Sequence, residues 1–159
     1  MLDNLLTFAN QQAIADGTAV VSSYVYDAGT PHGGIGTAAA PKLFAGEGQD
    51  VIVEVTAAAN TGKDDYQIKV DVIAADNADL DSNPVTLATY TTAAIAEASL
   101  PSTTKPYQRI NIKLRPSGQT AAKRYYGLKF DLTGTGSALT STVNAYVRGF
   151  GEHQTNLAP

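Results

Sequence analysis

An all-β antiparallel sandwich is the fold class this sequence predicts, on three observations. Hydrophobic residues recur with a period of two rather than 3.6 along most of the chain. Turn-forming residues punctuate the alternating runs at short intervals. No amphipathic stretch of crossover-helix length stands between the runs, which argues against a parallel α/β sheet.

Taken in order, two β-rich segments open the chain at 5–14 and 19–27, separated by the turn residues Asp16-Gly17. A Gly/Ala/Pro-rich connection at 28–49 is unusually long, and it reads either as a contact loop or as a plain surface loop. Val51, Val53 and Val55 then alternate with Ile52, Glu54 and Thr56. After Asn60-Thr61-Gly62, Tyr66, Ile68, Val70 and Val72 alternate with Gln67, Lys69 and Asp71. Ser82-Asn83-Pro84 turns the chain into a strand-compatible run at 85–92, and at most a short helix is expected around 93–98.

Pro101 to Pro106 and Pro116-Ser117-Gly118 flank Ile110, Ile112 and Leu114, which alternate with Tyr107, Arg109, Asn111 and Lys113. Tyr126, Leu128, Phe130 and Leu132 alternate with Tyr125, Gly127, Lys129 and Asp131. Beyond Gly134-Thr135-Gly136, Val143, Ala145 and Val147 alternate with Asn144, Tyr146 and Arg148. About eight antiparallel strands in two packed sheets make a jelly roll. A length of 159 residues suits one core and is too short for two. Residues 1–159 are therefore read as a single jelly-roll domain with a loop at 28–49 and a tail at 149–159.

Composition narrows the function classes. Charged residues make up only 16 %, against roughly 25 % in typical domains, so neutral Thr, Ser, Asn, Gln, Ala and Gly must cover much of the surface. A net charge of −4 leaves no electrostatic footprint for nucleic acid and no polybasic segment for a membrane surface. The absence of cysteine removes disulfides, thiolate nucleophiles and thiolate metal ligands. The opening has no basic region, and Asp3 and Asn4 interrupt its apolar residues, so a soluble, unprocessed chain is expected.

No set of residues reads as a catalytic centre. The two histidines, His32 and His153, fall in the long loop and in the tail, where solvent exposure is the expected state. Asp79, Asp81 and Asn83 alternate like the ligands of a calcium loop, but Pro84 stands where that motif needs glycine and Tyr90 where it needs glutamate. An Asx-rich turn between strands is the better reading. Gly33-Gly34-Ile35-Gly36 lacks the Lys-Ser/Thr and the helix of a phosphate-binding loop. No cofactor is implied.

Arg109, Lys113, Arg115, Lys123, Arg124, Lys129 and Arg148 are the one basic concentration, expected on a single outer face. Such a face is either simply solvated or, with Tyr107, Tyr125, Tyr146 and Phe150 as aromatic anchors, an interface for an acidic surface.

One resemblance runs through most of the chain. Its landmarks are the Met1-Leu2-Asp3 start with Leu6 and Phe8, Gln12-Ala13, Ser22-Ser23 and Asp27-Ala28-Gly29. The Asp76-Asn77-Ala78 turn leading to Ser82-Asn83-Pro84-Val85-Thr86-Leu87 follows, then Arg124-Tyr125 and Thr133-Gly134-Thr135. In this order they resemble the jelly-roll cement, or head decoration, proteins of tailed bacteriophages. The loop at 28–49 is longer than that family's usual connection, and the tail extends past the last strand.

The resemblance implies a non-enzymatic structural protein that assembles as a homodimer or homotrimer on the outer surface of an expanded phage head. There it would stabilise the virion by bridging major capsid subunits of the HK97-like fold, after synthesis in the bacterial host cytoplasm. Interface candidates on this reading are Leu2, Leu5, Leu6, Phe8, His32, Phe44, Arg109, Arg124, Tyr125, Tyr146, Arg148 and Phe150. For the apolar opening, the alternative is that it caps the protein's own core. A carbohydrate- or receptor-binding jelly roll is the second reading, supported by eight tyrosines and weakened by the absence of tryptophan.

Overall fold

The structure, a computed structural model, describes residues 7–27, 50–102, 104–105, 107–116 and 123–148. Nine strands are formed among these residues. They are β1 (Thr7–Ala15), β2 (Val20–Val21), β3 (Tyr26–Asp27), β4 (Asp50–Thr61), β5 (Gln67–Ala75), β6 (Val85–Thr91), β7 (Ile110–Leu114), β8 (Tyr125–Thr133) and β9 (Ser137–Arg148). Every pairing is antiparallel. One sheet has the order β1-β9-β4-β7 and the other β2-β8-β5-β6, with β3 also on β8. Because β2 and β3 lie along the same neighbour, they act as one interrupted strand. The two sheets then have the interleaved order of a jelly roll.

Alternation sets which side chains meet between the sheets. From one sheet come Val51, Val53 and Val55 of β4, Ile112 and Leu114 of β7, and Val143, Ala145 and Val147 of β9. The other supplies Ile68, Val70 and Val72 of β5 and Tyr126, Leu128 and Phe130 of β8. Each large apolar side chain fully removed from water contributes about 1.5–3 kcal/mol, so this double layer is the main stabilising element. Phe8 is only 1 % exposed and joins the same core. The interface expectation for Phe8 is thereby corrected: it seals the protein's own interior. Leu2, Leu5, Leu6, His32, Phe44 and Phe150 lie outside the described residues, as do Gly33 to Gly36 and the tail at 149–159.

Side chains, rather than backbone ladders alone, tie one sheet to the other. The Gln12 amide on β1 donates to the Val21 carbonyl (2.9 Å) and accepts from the Ser23 N–H (2.8 Å). Ser22 is buried, its backbone N–H donating to the Leu128 carbonyl while its hydroxyl accepts the Leu128 N–H. A side chain standing in for a strand carbonyl is why the expected strand at 19–27 appears as two short pieces. The Tyr24 N–H leaves that sheet and donates to the Phe8 carbonyl of β1 (2.9 Å).

Outside the second sheet, Leu80 covers Ile73 and Ala75, with Val21, Val25 and Tyr125 beside it. Gly127 allows this closeness, since a Cβ there would stand 2.6 Å from Leu80 Cδ1. Leu80 is delivered by the turn after β5, where it has φ +58°. The Asn77 side chain organises the turn by accepting the Asp81 and Ser82 N–H groups, and Asn83 donates to Asp76. This is a turn stitched by its own Asx side chains.

The expected short helix is a single 3₁₀ turn, Glu97–Ser99. Ile95 exchanges two backbone hydrogen bonds with Tyr66, which holds the chain extended until that turn.

Two polar features of the interior yield predictions. The Tyr66 hydroxyl is enclosed near the Ser141 hydroxyl, which makes at most a weak hydrogen bond to it and has no other partner among the described residues, and burial pushes its pKa up to about 12, an effect that Ser141 only tempers. Tyr66→Phe should therefore cost nothing and gain up to about 1 kcal/mol, read as a urea midpoint. A folded pKa above the unfolded value of about 10 gives stability that is present below pH 10 and lost as pH rises toward 12. The Phe variant should lose less over that window. At the β8–β9 turn, a Cβ on Gly136 would collide with the side-chain amide of buried Asn60 and break its 2.7 Å bond to Asp65. Gly136→Ala should destabilise by about 1–3 kcal/mol, and an unchanged midpoint would show that Asn60 can move aside.

Candidate functional site

The outward side of the β1-β9-β4-β7 sheet carries a mixture of charged, amide and phenolic side chains. Strand register arranges it in rows. Arg148 lies opposite Asp50, Tyr146 opposite Ile52 on one side and Thr7 on the other, and Asn144 opposite Glu54. Across β4, Ile52 faces Lys113 and Glu54 faces Asn111. Ile52 is buried although it points away from the sandwich interior.

At the β1 end of these rows is a groove of about 500 Å³. Tyr24, Tyr146, Asn10, Asn144, Glu54, Thr7 and Ala9 line it. Its shape follows from irregularities in β1, which shifts register between Thr7 and Ala9 and again between Ala9 and Gln12. Such bulges bend a strand and re-aim its side chains. Gln11, at φ +49°, completes the bend, and the Asn144 carbonyl oxygen holds it by accepting from the Gln11 N–H (2.7 Å) and side-chain amide (3.2 Å). The Tyr24 N–H bond to Phe8 swings the β2–β3 connection over the same edge, leaving the Tyr24 side chain 54 % exposed.

Most polar groups of the groove are uncommitted. Asn10 and the Tyr24 and Tyr146 hydroxyls make no side-chain hydrogen bond among the described residues, and Asn144 spends only its carbonyl oxygen. Among the described residues Glu54 has one loose partner, Arg109, at 3.9 Å. Burial and the neighbouring Glu54 charge push the Tyr146 hydroxyl above its ordinary pKa, and Arg148 acts in the opposite direction.

A second depression, of about 520 Å³, lies where Ala58 meets Glu97 and Leu100. Its polar groups are spent locally: Asp64 accepts the Glu97 N–H, Glu97 accepts the Gly62 N–H, and Lys105 donates to the Ala98 carbonyl. Among the described residues no three His, Cys, Asp or Glu side chains are grouped as metal ligands.

The single basic face expected from the sequence is not formed. Arg109, Lys113, Arg115 and Arg148 belong to the β1-β9-β4-β7 sheet or to the residues flanking β7, whereas Lys123, Arg124 and Lys129 belong to β8 of the other sheet or its approach. Alternation fixes a residue's side of a sheet but not which sheet its strand joins.

Many of these cations are also occupied. Lys113 and Arg115 bracket Asp50 at 2.8 and 3.1 Å, and Lys123 lies 3.0 Å from Asp76. Arg124 grips Asp27 with two 2.8 Å hydrogen bonds and covers the Tyr125 ring at 4.9 Å. Arg124 and Tyr125 are thus brought together, whereas Arg109, Tyr146 and Arg148 lie on the opposite sheet, with Arg109 and Arg148 flanking β4 on opposite sides. Of the groove, sequence reasoning singled out only Tyr146. The outward parity of Glu54 and Asn144 was visible in their strands, but nothing signalled Tyr24 or Asn10.

No family model and no curated protein matches this chain.

Paired carboxylates give the molecule an acid limit. Burial raises the Asp50 pKa, but the hydrogen bonds and charges of Lys113 and Arg115 outweigh it and hold the carboxyl below its ordinary range. Asp65 is lowered by the Thr135 hydroxyl and N–H and by Asn60, and Asp76 by Asn83 and Lys123. Folded values below the unfolded value of about 3.9 mean stability that is present above that pH and lost as pH falls through them. The urea midpoint should therefore drop below about pH 4. With Lys113→Ala and Arg115→Ala combined, only burial remains, and the Asp50 carboxyl should titrate above its ordinary value by NMR. An unmoved titration would show that the two cations do not set it.

Proposed function

We propose that this protein is a structural capsid cement that binds the outer surface of an expanded phage head and bridges major capsid subunits of the HK97-like fold. On this reading it acts as a homodimer or homotrimer on the virion and makes or breaks no bond.

The observation that carries the reading is where the landmarks of the resemblance fall. Gln12, Ser22 and Ser23 form the link between the sheets, and Asp27 with Arg124 forms the bidentate pair at the β3–β8 edge. Asp76, Asn77 and Asn83 stitch the turn that carries Leu80, while Thr135 closes onto Asp65. These landmark residues shape the fold, and the capsid reading rests on the sequence resemblance together with a jelly roll that can carry it.

The surface is compatible with the role. Tyr107, two positions before Arg109 in the chain, is 80 % exposed, and Tyr90 and Val85 are also exposed. Exposed aromatics beside arginine are the residue types that anchor interfaces, and few charges would need to be desolvated around them. Repetition over a symmetric shell would add such contacts into a strong total attachment.

Co-sedimentation of the purified protein with expanded, undecorated heads and with unexpanded procapsids tests the proposal. Saturable binding to expanded heads alone, at a ratio commensurate with the shell's subunit number, is expected. Tyr107→Ala should weaken that binding by about tenfold, the effect of losing one interface tyrosine. Absence of binding to expanded heads would overturn the reading.

A further inference from the structure

We propose that the groove formed by Tyr24, Tyr146, Asn10, Asn144 and Glu54 is a binding site for a neutral hexopyranose, such as the exposed sugar of a glycan.

The chemistry of the lining selects this ligand class. Two tyrosines border the groove, and aromatic rings offer apolar faces on which the C–H face of a pyranose can rest. Around them stand the Asn10 amide and the donor end of Asn144, both without a side-chain partner among the described residues, and the Glu54 carboxylate. Sugar hydroxyls both donate and accept, so neighbouring hydroxyls match an acceptor carboxylate beside donor amides.

Other ligand classes fit less well. An anion would meet the Glu54 charge. A cation would compete with Arg109, which already lies near that carboxylate. A purely apolar group would cover polar atoms without satisfying them, at about 1–3 kcal/mol each. The volume of about 500 Å³ is that of a small-molecule site, with room for a small saccharide.

The site is also built rather than incidental. Asn144 is fixed by its two bonds to Gln11, and the Tyr24 backbone is fixed to Phe8, so two of the recognition groups are held before any ligand arrives. The Tyr24 ring itself takes no part in the core, and its truncation leaves the backbone bond in place.

The inference is independent of the capsid reading, because sugar binding is measured on the free protein and capsid binding on particles, and either can fail alone. The test is titration of the ¹⁵N-labelled full chain with glucose, galactose, mannose and N-acetylglucosamine in turn. At least one should give saturable shifts at the backbone amides of Asn10, Tyr24, Glu54, Asn144 and Tyr146, with a Kd on the order of 1 mM, as suits one sugar in an open groove. Tyr24→Ala and Asn10→Ala, each with an otherwise folded spectrum, should weaken that binding by about tenfold, and Tyr107→Ala should leave it unchanged. Unsaturable shifts with all four sugars, shifts centred elsewhere, or undiminished binding by the Tyr24 and Asn10 variants would each overturn it.

Discussion

The pairing of β4 with β9 is the constraint on which the remaining geometry depends. These two 12-residue strands lie side by side from Asp50↔Arg148 to Thr61↔Ser137, although more than 70 residues of chain separate their partners. A large loop-closure entropy must be met before such a contact stabilises anything, so the pairing forms only together with the core behind it. Once formed, it places Val51, Val53 and Val55 beside Val147, Ala145 and Val143, and β1 and β7 can dock on its two flanks. A slip of one residue would turn those valines to solvent and draw Glu54 and Asn144 inward.

The same register creates the outer surface. Glu54 emerges beside Asn144 and Ile52 beside Tyr146 because Val53 and Val55 must face the other way. The edge strand β1 cannot follow this regular pattern throughout. Its bulges place Phe8 in the core, turn Gln11 into a left-handed conformation and open the groove. Packing and surface chemistry are thus two results of one irregular strand, consistent with the general concentration of bulges at edges and sites.

Charge plays a local role in this molecule. Asp50, Asp76 and Asp27 hold cations against particular strand ends or turns; the exposed Asp27–Arg124 pair contributes little stability by itself, whereas the Asp50 carboxylate is buried between Lys113 and Arg115. Their consequence lies in geometry: cations that looked available for a partner are in several cases turned toward the protein's own carboxylates. At the groove, by contrast, the Asn10 amide, the donor end of Asn144 and the Tyr24 and Tyr146 hydroxyls have no side-chain partner among the described residues.

Strand character and facing were legible in the sequence because a half-buried strand exposes its residues alternately to core and solvent, and that alternation is local. The inward sets of β4, β5, β7, β8 and β9 could be read this way, as could the Asx-rich turn after β5. Tertiary structure alone decided which strands became neighbours. It divided the basic residues between two sheets, broke the segment at 19–27 where the Ser22 hydroxyl replaces a ladder carbonyl, and extended the chain at Ile95 through its bond to Tyr66. It also brought Tyr24 to Tyr146, residues more than 100 positions apart, by way of one hydrogen bond to Phe8. The physical reason is that periodicity reports the environment of each residue along its own strand, whereas a site made from several strands depends on pairings whose free energy exists only in the closed sandwich.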